Sequence, residues 1–489
     1  MKTVNMPPDA ATLMWSTRAI GYTTPAAVAD LIDNSISAEA SNIYIKYMPA
    51  EDGYVSILDD GKGMGPNDLK QAMKYGSSGP MADRSDNDLG RFGLGLKTAS
   101  LSQCRRLTVA SKKAGCICAY SWDLDYVFSS GNWDLLELEE EEIRDIPQID
   151  DLERLKEGTI VVWNSLDRMC AGDDDKDTGF KKHIKEVEEH LSLTFHRFMQ
   201  GEVGIKKISI YSNGIKLEPS DPFYISHSDE KPSEKIPVKY VDNHGITRKV
   251  QVVVTPFILP FPDSMSQEEL EKIGGKEGLI KNQGFYIYRN KRLIVAANWF
   301  RLARKTDLSK LCRIRVDMPS VLDELWTIDV KKSMALPPET VLRELKRIVI
   351  PSINSGKKKY KFRATQETKR DSVPLWTAGE SRNGVIYNIN PEYPLLKQVI
   401  QESTNPKRLK VLIRLIEQNI PVNTIHSDFY DDKKYAFEDV NEAYENVKQN
   451  IRELLGEVAP ADRLAAFDEI MSVRPFSEYE ITFEELGEI

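Results

Sequence analysis

Asp30-Leu31-Ile32-Asp33-Asn34 lies within the run PAAVADLIDNSIS, residues 25–37. Thr24 followed by Pro25 reads as an N-cap and first-turn pair. A threonine hydroxyl accepts from an orphan backbone N–H, and proline is tolerated where the amide has no intrahelical partner. The run is therefore expected to be helical. Residues four apart share a helix face, so Asp30 and Asn34 look toward one site. A carboxylate there can orient and deprotonate a water. An amide oxygen suits magnesium, a hard cation that binds through few protein groups plus phosphates. Taken alone, a polar helix face accounts for the same spacing.

Two further stretches sharpen this reading. Asp59-Asp60-Gly61-Lys62-Gly63-Met64-Gly65 starts at the end of YVSILD, a predicted strand with Val55 and Ile57 on one face. Glycines permit a tight turn and close backbone approach to a ligand. An aspartate at a strand end is an acceptor suited to the exocyclic amine of adenine. Acidic β-turns of the same composition are common. Gly90-Arg91-Phe92-Gly93-Leu94-Gly95-Leu96-Lys97 falls at a predicted loop-to-helix junction. Amides at a helix N-terminus and successive glycine amides bind phosphate, and Lys97 adds a cation. No GK[ST] closes the stretch, so it is not a P-loop. It also lacks the βαβ context of a dinucleotide fingerprint. The preceding GSSGPMADRSDND is small, polar and rich in breakers, and reads as a long mobile loop.

Composition sets the outer limits. A chain of 489 residues has room for two to four domains with cores of their own. No apolar run approaches the ~20 residues needed to span a bilayer. MKTVNMPPDAATLMW lacks the basic start and apolar stretch of a signal peptide. A cytoplasmic protein with no membrane partner is expected. The formal net charge is −9, which argues against a pure nucleic-acid-binding module but leaves room for a local basic patch. Cys104, Cys116, Cys118, Cys170 and Cys312 read as buried free thiols. The six histidines form no HExxH pair and no cluster with cysteine, so zinc is not expected.

The expected fold class is α/β (α+β). Residues 1–185 hold the motif helix, a helix from Pro66 to near Gly76, and strands at YVSILD, RLTVAS, CICAYSWDL and GTIVVW. Such an order suggests a sheet with helices on one face. Ile184, Val187, Leu191, Phe195 and Phe198 recur at helical spacing near the domain boundary. Residues 186–355 alternate strands (KISIYS, KVQVVVTPFIL, GFYIYRNKRLI, LCRIRVDM) with helices, including VLRELKRIVIPSI. This reads as a second α/β domain. Residues 356–373 read as a basic linker, and 374–489 as a smaller region, mostly helical after Pro394. No internal repeat is evident.

The order, spacing and context of the three motifs resemble those of the GHKL superfamily. That superfamily holds gyrase-type topoisomerases, MutL, the ninety-kilodalton heat-shock chaperone, sensor histidine kinases and the MORC ATPases. Over about residues 10–170 the resemblance implies a Bergerat-type sandwich of helices on a mixed sheet, with ATP and Mg2+ as cofactors. It implies Asp30 as catalytic base, Asn34 as magnesium ligand and Asp59 as adenine contact. Gly61, Gly63 and Met64 match the adenine pocket. Gly90, Phe92, Gly93, Leu94, Gly95, Leu96 and Lys97 match the phosphate-binding lid. Thr159 matches a further adenine-side threonine. The family usually has Glu where Asp30 stands and Asp where Ser37 stands. The second domain resembles the transducer domain of the MutL, gyrase and MORC branch. IYRNKRLI looks like its central strand pair. Thr327-Ile328-Asp329-Val330-Lys331-Lys332-Ser333 looks like the loop that sends a lysine, Lys331 or Lys332, to the γ-phosphate.

NGIKLEPSDPF and YIYRNKRLI resemble prokaryotic MORC-like proteins more than the chaperone branch. That resemblance implies a slow ATPase acting as a nucleotide-dependent homodimer clamp. It implies DNA-related work of the restriction or anti-phage (antiviral defence) type, with DNA and partner nuclease or helicase proteins. The alternative is a non-hydrolysing, ATP-regulated assembly or chaperone-like module. Lys357, Lys358, Lys359, Lys361, Arg363, Lys369 and Arg370, with Tyr360 and Phe362 among them, offer phosphate contacts or form a solvated linker.

Overall fold

The computed structural model describes the chain apart from residues 1–2, 4–5, 7, 20, 50–52, 76–94, 170–175, 243–244, 276–277, 328–334, 370–372, 374, 382–383, 421–439, 457, 473–475, 477–478, 480 and 488–489. It divides into two compact units, Met1–Lys358 and Lys359–Ile489.

In the first unit, helices α1 (Ala10–Arg18) and α2 (Thr24–Ser37) precede strands β1 (Asn42–Met48) and β2 (Tyr54–Asp59). Then come α3 (Pro66–Met73), α4 (Gly95–Leu101), β3 (Arg106–Lys113), β4 (Cys116–Asp123), α5 (Leu124–Ser130), β5 (Leu136–Glu137), α6 (Glu140–Arg144), α7 (Ile149–Arg154), β6 (Gly158–Asn164), α8 (Lys176–Thr194), α9 (His196–Gln200), β7 (Ser209–Ser212) and β8 (Ile215–Lys216). The strands form one mixed sheet in the order β5-β4-β3-β6-β2-β1-β7-β8. Strands β1 and β7 run parallel; the other neighbours are antiparallel.

Alternation sorts the sheet's side chains. Val55 and Ile57 of β2, Leu107 and Val109 of β3, and Val161 and Trp163 of β6 join the larger core under α1, α2, α4 and α8. Leu58, Ala110, Ile160 and Val162 point the other way and pack with Ile149 and Leu152 of α7. The sheet is therefore covered on both faces, not on one. The short α6–α7 segment carries too few apolar positions to announce itself as a layer.

Three local readings shift. The N-cap of α2 is Thr23, whose hydroxyl accepts from the Ala26 amide. Thr24 instead shares a 2.8 Å hydrogen bond with Gln103. Ile184, Val187, Leu191, Phe195 and Phe198 are all buried as their spacing predicts, but in the first sheet's core. Their helix is interrupted at Phe195, between α8 and α9. KISIYS supplies β7, which extends the first sheet rather than opening the second.

The second sheet uses β9 (Asp229–Glu230), β10 (Glu234–Val241), β11 (Thr247–Ile258), β12 (Gly284–Arg289), β13 (Arg292–Asn298) and β14 (Cys312–Met318). Its order is β10-β11-β14-β12-β13, with β9 paired to β11. Phe223, Phe257, Tyr286, Tyr288 and Leu293 form an aromatic core on it. Helices α10 (Gln267–Gly274) and α11 (Gly278–Lys281) lie between β11 and β12 in sequence. His196 of α9 and the Tyr288 hydroxyl share a 2.8 Å hydrogen bond that ties the layers. Helix α12 runs from Glu339 to Lys369 with Pro351 inside it. Most of the basic stretch expected as a linker is thus helical backbone.

In the second unit, a hairpin of β15 (Trp376–Ser381) and β16 (Gly384–Ile389) precedes α13 (Pro394–Glu402), α14 (Pro406–Gln418), α15 (Val440–Gly456) and α16 (Arg463–Met471). Val447, Ile451, Leu455, Phe467 and Ile470 centre its core. Among the described cysteines, Cys104 and Cys312 are buried and Cys118 is half-buried, but Cys116, at the start of β4, is exposed. No described helix is long and apolar enough to cross a membrane.

Candidate functional site

Helix α2 brings Asp30 and Asn34 to one face, as their spacing requires. Asp30 is 3% exposed, and Asn34 is exposed. The Tyr22 hydroxyl donates to Asp30 Oδ2 at 2.9 Å. Gly95 opens α4 directly opposite. A Cβ at that position would stand 3.6 Å from Asp30 Oδ2. The third motif thus meets α2 at Asp30, whereas the second meets it toward its C-terminal end, at Ser35 and Ala38. Asp33, three residues on from Asp30, is fully buried. Arg292 Nε donates to both of its oxygens at 3.0 Å.

Asp59 ends β2 on the sheet face that α2 covers. It is buried. Its Oδ2 accepts from the Ser35 hydroxyl at 2.8 Å, and its Oδ1 from the Gly61 amide at 2.9 Å. Burial pushes the Asp59 carboxyl above its ordinary value, while the hydrogen bonds from Gly61 and Ser35 pull against that. Thr159 lies in register with Asp59 across β2 and β6. Its hydroxyl shares a 2.8 Å hydrogen bond with Ser111. Ser111 also accepts from the Met64 amide at 2.8 Å and donates to the Gly158 carbonyl at 2.9 Å. One serine thus joins β3, β6 and the turn after β2.

The turn glycines are required by the protein's own backbone. A Cβ on Gly61 would sit 2.8 Å from both the Ala38 carbonyl oxygen and Asp59 Oδ1. Gly63 has φ +56°, and a Cβ there would meet the Lys112 carbonyl oxygen at 2.0 Å. Gly158 approaches the Asp59 carbonyl oxygen equally closely, at 2.3 Å from its would-be Cβ. Met64 is half-buried against the main core.

Of the third motif, Gly90, Phe92, Gly93 and Leu94 lie outside the described residues, as do Lys331 and Lys332 and the 76–88 loop. Leu96 packs against the main core. Lys97 is buried. Its Nζ donates to the carbonyls of Ala72 at 2.7 Å and Lys74 at 3.0 Å. These are C-terminal carbonyls of α3, where the helix dipole favours a cation.

Burial lowers the Lys97 ammonium from 10.5 to about 8. Between those values the unfolded chain binds more protons than the folded one, so stability rises with pH. The stability of the native chain minus that of Lys97→Met, as a signed difference, is expected to rise from pH 8 to 10.5 and to stay flat below pH 8. Urea melts at pH 7, 9 and 10.5 check this. A signed difference that falls with rising pH contradicts it.

Tyr22, Ser35, Ser111 and Arg292 are site residues that sequence reasoning missed. The first three are lone hydroxyls without a motif. Arg292 stands in IYRNKRLI, the stretch read as a central strand pair, but its partner is 259 residues away.

Residues 22–159 match the model of the histidine kinase-, DNA gyrase B- and HSP90-like ATPase family. The chain is 31% identical over 94 residues to the ATPase morc-1 of Caenorhabditis elegans, a stretch covering 19% of this chain and 11% of that protein. It is 36% identical over 91 residues to the ATPase MORC2B of Mus musculus, covering 18% and 9%. The segment that carries Asp30, Asn34, Asp59, Gly61, Gly63, Gly95 and Thr159 is therefore a GHKL ATPase domain of the histidine kinase, DNA gyrase B and HSP90 type, with MORC ATPases among its relatives.

Proposed function

We propose that this chain binds ATP with Mg2+ and hydrolyses it slowly to ADP and phosphate. The observation that carries the reading is the placement of Asp59. It is a buried carboxylate, in register with Thr159, on the sheet face covered by the helix that bears Asp30. The donor set suits a magnesium nucleotide. Among the described residues no cluster of three or more His, Cys, Asp or Glu side chains could hold a metal by itself. An exposed amide oxygen at Asn34 is the kind of single protein ligand that magnesium takes alongside phosphates. When bound, the ion neutralises phosphate charge.

In this reading Asp59 accepts the exocyclic amine of adenine, with Thr159 and Ser111 lining the same end of the sheet. The start of α4 at Gly95 receives the phosphates. Asp30 holds the attacking water and takes its proton. Gly90, Phe92, Gly93, Leu94 and one of Lys331 and Lys332 complete the phosphate side, on the strength of the motif resemblance. Asp59→Asn removes a charge-assisted acceptor, worth roughly 1.5–3 kcal/mol. ATP affinity is expected to fall about tenfold or more by calorimetry. Unchanged affinity rejects the adenine assignment.

The wider role belongs to the same proposal. ATP closes two copies into a cytoplasmic homodimer clamp that works on DNA in restriction or anti-phage systems, with nuclease or helicase partners. The cationic run from Lys357 to Arg370 supports the DNA contact. Sedimentation of the full chain tests the clamp: a dimer with a non-hydrolysable ATP analogue and none with ADP. A mass independent of nucleotide removes it. One observation favours the alternative of a non-hydrolysing assembly module: the Asp30 carboxylate is one methylene shorter than the family's usual glutamate.

A further inference from the structure

The second sheet sends one side chain back into the ATPase domain. Arg292 opens β13 at the end of the turn Arg289-Asn290-Lys291-Arg292. Asn290 and Lys291 hold left-handed backbone there, at φ 46° and 69°, as a two-residue hairpin turn requires. The turn is fixed on both sides. Arg289 Nε donates to the two Asp323 oxygens at 2.8 and 3.0 Å. Lys291 Nζ donates to Glu202 Oε1 at 2.8 Å and to the Val203 carbonyl at 2.9 Å.

From this anchored turn Arg292 reaches α2. It is 2% exposed. Its Nε grips both Asp33 oxygens at 3.0 Å. Its Nη1 donates to the Leu293 carbonyl at 3.0 Å, and its guanidinium lies over the Phe195 ring at 5.7 Å. Its Nη2 stands 4.0 Å from Asp30 Oδ1. Two buried carboxylates stand on one helix, and the Arg292 guanidinium is an ion-pair partner of both. Such a buried pair adds little net stability compared with apolar packing. What it fixes well is geometry, because the planar fork admits few orientations.

We propose that Arg292 is a positioning residue for ATP hydrolysis. It clamps Asp33, holds α2 in place, and sets the Asp30 carboxylate between its own Nη2 and the Tyr22 hydroxyl. The second sheet then contributes to turnover through the base as well as through any phosphate contact. This rests on the reading of Asp30 as the group that orients water.

The test uses the full chain, with ATP affinity from calorimetry and turnover expressed per bound nucleotide. Arg292→Lys keeps the charge and loses the fork, so turnover is expected to fall about tenfold. Arg292→Ala is expected to lose about 10²-fold, the effect of a misplacement of roughly 1 Å. ATP affinity stays within about threefold in both, a kcat effect without a binding effect. Arg292→Ala leaves Asp33 buried without its cation and risks unfolding. The double variant Asp33→Leu/Arg292→Met therefore replaces the pair with apolar groups of similar volume, which folds tolerate. Its turnover is expected to be as low as that of Arg292→Ala. Wild-type turnover per bound nucleotide in the double variant overturns the proposal and leaves Arg292 a structural clasp. Wild-type turnover in Asp30→Asn removes instead the reading on which the proposal rests.

Discussion

Asp30→Asn is expected to abolish ATP turnover and to leave ATP affinity nearly intact. Hydrolysis of a phosphoanhydride depends on positioning and charge stabilisation more than on covalent chemistry, so the work proposed for this carboxylate is to orient water and take its proton. Help of that kind is worth about 10²–10⁴ in rate. The amide keeps an oxygen for the Tyr22 hydroxyl, now 2.9 Å from Oδ2. Arg292 keeps its partner Asp33, so the fold loses little. Single-turnover hydrolysis and calorimetry on the same preparation check the two halves of the statement. Asp30→Glu is the sharper control. Oδ2 is already bonded to the Tyr22 hydroxyl at 2.9 Å. A side chain one methylene longer carries the carboxylate off that hydroxyl, and slower turnover is expected. Full activity in Asp30→Asn would sink the base assignment.

Gly63→Ala is expected to be severely destabilising. The new Cβ would lie 2.0 Å from the Lys112 carbonyl oxygen and 3.3 Å from the Gly158 amide, at φ +56°. Both neighbours are backbone in paired strands, β3 and β6, which cannot yield as a side chain end can. Left-handed strain adds about 1–3 kcal/mol and overpacking a similar amount. The sum, roughly 2–6 kcal/mol, reaches the high end for point substitutions. Gly65→Ala is the control. Its Cβ would meet only Asp68 Oδ2 at 3.9 Å, and φ there is an ordinary −76°. A change within ~0.5 kcal/mol is expected. Chemical denaturation of the two variants side by side decides the matter. Equal stabilities reject the backbone argument.

Local signals in the sequence carried far. Helix α2, strand β2 and the turn between Asp59 and Gly65 are legible because spacing, proline placement and glycine needs all act within a dozen residues. In space the turn meets α2 at Ser35 and Ala38, and Gly95 meets it at Asp30. What stayed hidden acts at long range. Strand β7 pairs in parallel with β1, and nothing near KISIYS says which sheet it joins. Thr23 and Thr24 are equally good caps by chemistry, and Gln103 decides between them by engaging Thr24. Lys97 reads as a free cation beside glycines, yet the nearest acceptors are the α3 carbonyls. Arg292 carries no motif signature, because its role depends on a partner in another layer. The basic residues near 360 read as a linker by composition, although only Gly356 among them disfavours a helix strongly.

The close approaches at Gly61, Gly63 and Gly158 have a thermodynamic consequence. Each leaves the adenine-side turn wedged between neighbouring backbone segments, with Ser111 bonded to the Met64 amide and the Gly158 carbonyl. A wall held in this way has little conformational entropy left to surrender when a purine arrives. On the proposed reading the base would enter a mould already set, with the shape of this wall acting alongside the Asp59 acceptor.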